Sequence, residues 1–210
     1  MAFAEFKTIA AVLEKFRIKY QESDFISPTS FEISPAFLAD FNFVREHIDI
    51  KVSEYSICEN IIYPVLKEVY KKYANAFALW SHKPLNYDSD LAGTPDYLLA
   101  TKSELGKVVL GQPLLMVVEA KKNNFEEGWG QCLAEMMMAQ KINQDPSFTV
   151  YGIVSDGEVW QFGKLVASDF TEHRTFFTIN DLQRLFGAID FVLDRLRQAL
   201  EKAESAKPRS

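Results

Sequence analysis

The chain has 210 residues, of which 48% are hydrophobic, and its 29 acidic and 23 basic residues give a net charge of −6. This length and apolar content predict one folded domain with a sizeable core and exclude a largely disordered protein. The acidic balance argues against an extended basic surface for nucleic acid, but it leaves room for a local groove assisted by a metal ion.

Signals for export or membrane insertion are not evident in the sequence. No apolar stretch is long enough to span a bilayer, and the N-terminus lacks the basic and apolar segments of a secretion signal. Cys58 and Cys132 both fall in apolar helical patterns, which is typical of reduced core cysteines. We therefore expect a cytoplasmic protein without a membrane partner.

Apolar residues at helical spacing predict three helices in the first part of the chain. Ser34 and Pro35 are the expected N-cap and first residue of the second helix, and Ser53 is the expected cap of the third. Pro64 lies inside the third pattern, so a kink or a later helix start is expected there. The stripe of the first helix consists of Phe3, Phe6, Ile9, Leu13, Phe16 and Tyr20.

Strand and helix patterns alternate through the rest of the chain. Asp156-Gly157 predicts a hairpin turn between two of the strands. The expected strands are 77–80, 97–100, 114–120, 148–154, 159–162 and 176–179, and the expected helices are 126–143 and 181–203.

These patterns suggest a division of the chain into three parts. We expect residues 1–52 to form a helical extension that packs on the core. Residues 53–203 would form that core with a C-terminal helix, and residues 204–210 would be a frayed tail.

Two short motifs carry the chemistry of the sequence. Pro95-Asp96 precedes one predicted strand, and Glu119-Ala120-Lys121 ends another. Glu119 and Lys121 are two residues apart, so both project from one face of the strand. Asp96 and Glu119 would offer the one or two carboxylates that Mg²⁺ typically takes, and the Ala120 carbonyl would add a third oxygen. Lys121 would orient the attacking water or stabilise charge in the transition state of phosphodiester hydrolysis.

An acidic residue two positions before a lysine is a weak signal on its own. The chain contains two further matches, Glu5-Phe6-Lys7 and Asp49-Ile50-Lys51, but neither ends an apolar strand or follows a Pro-Asp pair. The alternative interpretation of the main motif is structural. In that case Asp96 caps a turn, while Glu119 and Lys121 form a solvated strand end.

The ordered set of motifs resembles the restriction-endonuclease-like, or PD-(D/E)xK, nuclease superfamily. More narrowly, it resembles the N-terminal nuclease domain of type I restriction enzyme motor subunits and their stand-alone relatives. The resemblance implies an α/β (α+β) fold with an αβββαβ core whose mixed sheet lies between helices. It also implies cleavage of DNA, or less often RNA, with Mg²⁺ as cofactor and Mn²⁺ as a substitute. The residues that carry it, within about 53–162, are Ser53-Glu54, Ile62, Pro64, Gly93 to Leu99, Val117 to Lys122 and Gln131.

The resemblance further implies a glutamate on the first core helix and a glutamine on the helix after the Glu-x-Lys strand. Glu54 and Glu59 compete for the first role, and we favour Glu54, which stands ten positions before Pro64. A helical wheel puts Glu54 in the buried stripe, where an unpaired carboxylate is costly, although a first-turn glutamate also suits the helix dipole. Gln131 fits the second role, but the wheel is equally compatible with an exposed glutamine.

Three functional classes follow from these patterns. The first is an active nuclease, and the second is a catalytically silent module that binds nucleic acid or serves as a scaffold. The third is a nuclease domain that acts beside a helicase or specificity partner. The expected partners are therefore a nucleic acid, DNA before RNA, and either a second copy of the chain or a helicase or specificity subunit.

Overall fold

The computed structural model describes residues 5–205, which form a mixed α/β fold with one large mixed sheet between two layers of helices. The helices are α1 (Ile9–Phe16), α2 (Pro35–His47), α3 (Glu54–Ile57), α4 (Tyr63–Tyr73), α5 (Phe125–Asn143) and α6 (Leu182–Ser205). The strands are β1 (Lys19–Glu22), β2 (Phe77–Ser81), β3 (Leu85–Asn86), β4 (Ala92–Gly93), β5 (Tyr97–Thr101), β6 (Leu114–Ala120), β7 (Val150–Ser155), β8 (Val159–Val166), β9 (Asp169–Glu172) and β10 (Phe177–Thr178).

The strands of the main sheet run in the order β1-β9-β8-β7-β6-β5-β2, and β10 pairs with β8. β6 and β7 are parallel, and α5 supplies the crossover connection that a parallel pair requires. β5 is antiparallel to both β2 and β6. Every residue of β6 is buried, as expected for a central strand covered on both faces. The mixed sheet between helices that the sequence predicts is confirmed.

Successive residues of the central strands point to opposite helical layers. Tyr97 and Leu99 of β5 pack in the core with α4 and α6, whereas Leu98 and Ala100 pack in the core with α5. Asp96 immediately precedes β5 and has the same parity as Leu98. Its side chain therefore lies on the face of the sheet that α5 covers.

A π turn at Cys58–Ile62 joins α3 to α4, and the N–H of Tyr63 bonds to the carbonyl of Cys58 across it. Pro64 is the second residue of α4, so the expected irregularity falls directly before the proline. The prediction that Glu54 lies in the buried stripe is wrong. The π turn inserts an extra residue, which rotates α3 relative to α4 and takes Glu54 out of the stripe.

The expected first helix is shorter than its apolar stripe suggests. α1 ends at Phe16 because Arg17 adopts a left-handed conformation with φ of 57°. Tyr20 therefore lies in β1, which pairs in parallel with β9 at the edge of the sheet. The N-terminal region expected to be a helical extension thus contributes a strand to the sheet of the core.

Some expectations fall at or beyond the ends of the region with a described structure. Phe3, in the first apolar stripe, and residues 206–210 of the expected tail lie outside it. Glu204 and Ser205, also assigned to that tail, belong to α6. Across residues 5–205, no helix has the length and apolar character needed to cross a membrane.

Candidate active site

Asp96 and Glu119 face one another across neighbouring strands. In the antiparallel pair of β5 and β6, Tyr97 is opposite Val118. One step further along the same register puts Asp96 opposite Glu119. Residues directly opposite each other share one face of the sheet, with Cβ atoms roughly 5 Å apart. The structure brings these two side chains together, since both line one cavity of about 390 Å³.

The cavity brings together residues from the strand ends, α3 and α5. The side chains that the sequence puts forward all line it, namely Glu54, Asp96, Glu119, Lys121 and Gln131. The other lining residues are Tyr55, Cys58, His82, Gly93, Thr94 and Glu135.

The two carboxylate oxygens of Asp96 have different neighbours. Oδ2 accepts a hydrogen bond of 2.8 Å from the backbone N–H of Ala120. Oδ1 lies 3.4 Å from Nε2 of His82. Burial raises the pKa of Asp96, while the Ala120 N–H and the His82 ring oppose that rise. Asp96 is therefore fixed by the neighbouring strand rather than free at a solvated turn.

The backbone of Ala120 is directed toward Asp96. The N–H of Lys121 donates to the carbonyl of Ser155 in β7, whereas the N–H of Ala120 points to the opposite side, at Asp96. Because the N–H and C=O of one strand residue face the same neighbouring strand, the Ala120 carbonyl also faces the Asp96 side. This is the side on which the sequence predicts a third oxygen ligand.

Glu119 and Lys121 form a shielded ion pair. Glu119 is only 7% exposed, and its Oε1 lies 3.3 Å from Nζ of Lys121. Burial raises the pKa of Glu119 to about 8, the charge of Asp96 adds to the rise, and Lys121 opposes it. Burial lowers the pKa of Lys121, but the nearby Glu119 and Glu54 outweigh this effect and raise it overall. The ammonium is therefore held in its charged form between carboxylates.

Gly128, at the start of α5, makes space for the Lys121 side chain. A Cβ atom at this position would lie 2.9 Å from Cγ of Lys121 and 2.6 Å from Cγ1 of Val154. Both distances are shorter than ordinary van der Waals contacts. A side chain at position 128 would therefore displace Lys121 or the strand beside it.

Glu54 lines the cavity from the first turn of α3. Its side chain is exposed, so the expectation of a largely buried carboxylate is wrong. Oε1 of Glu54 accepts a hydrogen bond of 3.1 Å from the backbone N–H of Lys122. The competing residue, Glu59, lines a separate groove beside α2. Glu54 is thus the one of these two glutamates that lines the cavity.

Gln131 is buried, with 7% exposure, so the interpretation of it as an exposed glutamine is wrong. Its side chain lines the cavity beside Asp96 and Glu119, while the N-terminal segment covers another side of α5 at Gly130. A Cβ atom at Gly130 would lie 2.6 Å from the carbonyl oxygen of Phe6. A helical wheel of α5 alone contains no sign of this cover.

Two residues of the cavity, His82 and Glu135, do not stand out in the sequence. Ser81 is opposite Tyr97 in the pairing of β2 with β5, so His82 comes opposite Asp96. If the predicted strands 77–80 and 97–100 are paired antiparallel, the sequence places His82 next to Asp96. Glu135 stands four residues after Gln131, hence on the same side of α5. The corresponding signal is that Glu135 is the one carboxylate in the apolar stretch 132–139 of α5.

The donors of the cavity suit a hard divalent cation. Mg²⁺ typically takes one or two carboxylates and keeps several waters. Among residues 5–205, no group of three or more His, Cys, Asp and Glu side chains is arranged to hold a metal ion. A cation here would therefore be held by Asp96 and Glu119, the Ala120 carbonyl, and oxygens of water or phosphate. The raised pKa of Glu119 fits such a site, because burial and the charge of Asp96 disfavour its ionised form and a bound cation would favour that form.

Comparisons with known proteins do not assign the chain to a class. No protein-family model matches it, and no curated protein matches its sequence. The case for a function lies in the geometry of its own residues.

Proposed function

We propose that this chain is a metal-dependent nuclease that hydrolyses phosphodiester bonds of DNA, with Mg²⁺ as cofactor and Mn²⁺ as a substitute. The observation that carries the proposal is the meeting of Asp96, Glu119 and Lys121 in one cavity at the ends of adjacent strands. A bare sequence match to an acidic-x-Lys triplet does not require such a meeting.

The order of elements supports a restriction-endonuclease-like core. Along the chain, α4 is followed by β2, β5, β6, α5 and β7. In space the four strands are consecutive, in the order β2-β5-β6-β7, and only the last pair is parallel. This order and pairing support the αβββαβ core that the PD-(D/E)xK resemblance implies, and the short hairpin of β3 and β4 would be an insertion after β2.

The residues of the cavity divide the work of hydrolysis between them. Mg²⁺, when bound, would lower the pKa of a water and neutralise charge that develops on the phosphate. Asp96 and Glu119 would bind the cation through carboxylate oxygens, and Ala120 would offer its carbonyl. Lys121 would stabilise the negative charge of the transition state, because its ammonium is already fixed 3.3 Å from Glu119.

A second candidate function is a catalytically silent module that binds nucleic acid or acts as a scaffold within a larger complex. Two observations favour it over catalysis. Lys121 already has Glu119 as a partner at 3.3 Å, and the chain as a whole carries a net charge of −6. In such a protein the Asp96 contact to Ala120 would serve only to join the strand ends. A second copy of the chain, or a helicase or specificity subunit, is the partner we propose in either case.

Incubation of the purified protein with nucleic acids tests the proposal. Single-stranded, duplex and branched DNA, and RNA, would each be supplied with Mg²⁺ or Mn²⁺. We expect cleavage of DNA by the wild type and none by Glu119→Ala. The matched control is Glu126→Ala, which changes an exposed glutamate of α5 and should cleave normally. Absence of cleavage by the wild type with every substrate and metal would favour the silent module.

A further inference from the structure

Glu135 is a buried carboxylate with one oxygen atom that has no partner among residues 5–205. It is 2% exposed, and within the described part of the chain its Oε2 atom has no hydrogen-bond partner. A buried acceptor left without a donor destabilises the fold, and a charged one does so more strongly. Such a group calls for an explanation in the form of a ligand, an ion or a water.

Another deeply buried carboxylate, Asp190, is fully satisfied. Asp190 is 1% exposed and accepts hydrogen bonds from Lys72, Thr29 and Tyr73. Glu68, 7% exposed, is paired with Lys71. The fold therefore supplies donors to its buried acids where they have a structural role. Glu119, also 7% exposed, is paired with Lys121, so Glu135 is the exception among the four buried acids of residues 5–205.

Glu135 lies in the same cavity as the proposed metal ligands. Glu135 and Gln131 lie one helical turn apart on α5, and both line the cavity that contains Asp96 and Glu119. Four acidic side chains line this cavity beside the ammonium of Lys121, namely those of Glu54, Asp96, Glu119 and Glu135. Burial raises the pKa of Glu135 well above its ordinary value, and a cation bound nearby would favour its charged form. The cavity, at about 390 Å³, has room for a cation together with several waters.

We propose that Glu135 is a further element of the metal site and accepts a hydrogen bond from a water in the hydration shell of the cation. This inference rests on the proposed function, since the cation is the one held by Asp96 and Glu119. A water lies between because, within residues 5–205, no three acidic side chains are arranged for direct coordination. Glu135 is thus a positioning residue that orients a water, as outer-shell carboxylates do in other metal sites.

Two substitutions and a matched control test the proposal. Glu135→Gln keeps the shape and one acceptor oxygen but removes the charge, whereas Glu135→Leu removes both acceptors at similar size. Glu126→Gln changes an exposed glutamate of the same helix. Affinity for Mn²⁺ and Mg²⁺ would be measured by titration calorimetry, and melting temperature would be measured with and without metal.

We expect metal affinity to fall on the order of tenfold in Glu135→Gln and further, towards a hundredfold, in Glu135→Leu. Without metal, both variants should melt at or above the temperature of the wild type, because a partnerless buried acid has been removed. For DNA cleavage, kcat should fall while KM stays close to the wild-type value. Glu126→Gln should match the wild type in every measurement.

The outcomes separate this inference from the proposed function. Unchanged metal affinity in Glu135→Gln and Glu135→Leu, beside normal binding by the wild type, would overturn the role of Glu135 alone. Failure of the wild type to bind either metal would overturn both. If Glu135→Leu does not fold, the calorimetric result for Glu135→Gln decides.

Discussion

Oδ2 of Asp96 accepts the backbone N–H of Ala120 at 2.8 Å, which ties the turn before β5 to the end of β6. Ala120 stands between Glu119 and Lys121, so this one bond fixes all three side chains of the proposed site relative to each other. Asp96 therefore has a structural role that is independent of any metal. The two roles of Asp96 can be separated by the choice of substitution.

Asp96→Asn should preserve the fold but not the metal site. The asparagine oxygen can still accept the Ala120 N–H, whereas the charge needed to hold a cation is lost. Asp96→Ala should in addition lower the free energy of unfolding by roughly 1–3 kcal/mol, because the Ala120 N–H loses its acceptor. Thermal and urea unfolding with and without Mg²⁺ would measure both effects. A metal-induced rise in the melting temperature of Asp96→Asn would contradict the proposed ligand role.

Lys121→Ala should separate catalysis from metal binding. Loss of a charged donor aimed at the transition state typically reduces turnover by about 10²–10³-fold. Metal-induced stabilisation should remain, since Asp96 and Glu119 are intact. Rates of DNA cleavage and melting temperatures with Mg²⁺ would be compared with those of Lys122→Ala, in which the exposed neighbouring lysine is removed. Cleavage at the wild-type rate by Lys121→Ala would refute the role given to this lysine.

Glu54→Gln should weaken metal binding more than Glu59→Gln does. Glu54 lines the cavity and contributes negative charge near Lys121 and Asp96, whereas Glu59 lies in a different groove. The effect should be modest, because Glu54 is exposed and solvent screens its charge. Calorimetric titration with Mn²⁺ of the two variants would give the ranking. The reverse order would show that Glu59 is the helix carboxylate of the site.

Without metal, the free energy of unfolding should fall as pH rises from about 4.5 to about 8. Burial and the charge of Asp96 raise the pKa of Glu119 from its ordinary value of 4.5 to about 8, so in this window the folded protein keeps a proton that the unfolded chain has released. Stability from such a group is complete below the lower pKa and is lost as pH passes the higher one. Glu119→Gln should flatten this decline.

Bound Mg²⁺ should increase the stability of the fold more strongly as pH rises from about 4.5 to about 8. A cation competes with the proton on Glu119, so the rise in melting temperature caused by Mg²⁺ should grow with pH up to about 8. Melting curves from pH 4.5 to 9, with and without Mg²⁺, would test this dependence. Glu126→Gln should follow the wild type, and a pH-independent effect of Mg²⁺ would argue against Glu119 as a ligand.

The proposed catalytic residues were accessible from the sequence because their placement depends on local rules. β6 is apolar along its length, and Glu119 and Lys121 follow the two-residue alternation of a strand. Antiparallel pairing of consecutive strands then brings Asp96 opposite Glu119. No long-range information was needed beyond the neighbour relation of two strands.

Other features could not be predicted from the sequence, because they depend on contacts between residues that are far apart along the chain. β1 is exposed at all four positions, so it has no apolar alternation, and its parallel partner β9 lies about 150 residues away. The burial of Gln131 accompanies its place in the cavity beside Asp96 and Glu119, which the pattern of α5 alone does not contain. The role inferred for Glu135 becomes visible only once its lack of a hydrogen-bond partner is known.

Because of the π turn at Cys58–Ile62, the number of residues between Ser53 and Pro64 determines the orientation of α3 relative to α4. Deletion of one residue from this turn would restore a regular helix and rotate α3 by about 100° about its axis. Glu54 would then move away from the backbone of Lys122, although Asp96, Glu119 and Lys121 would be unchanged. In sequences that carry the same motifs but one residue fewer in this helix, a different residue of α3 would therefore line the cavity in place of Glu54.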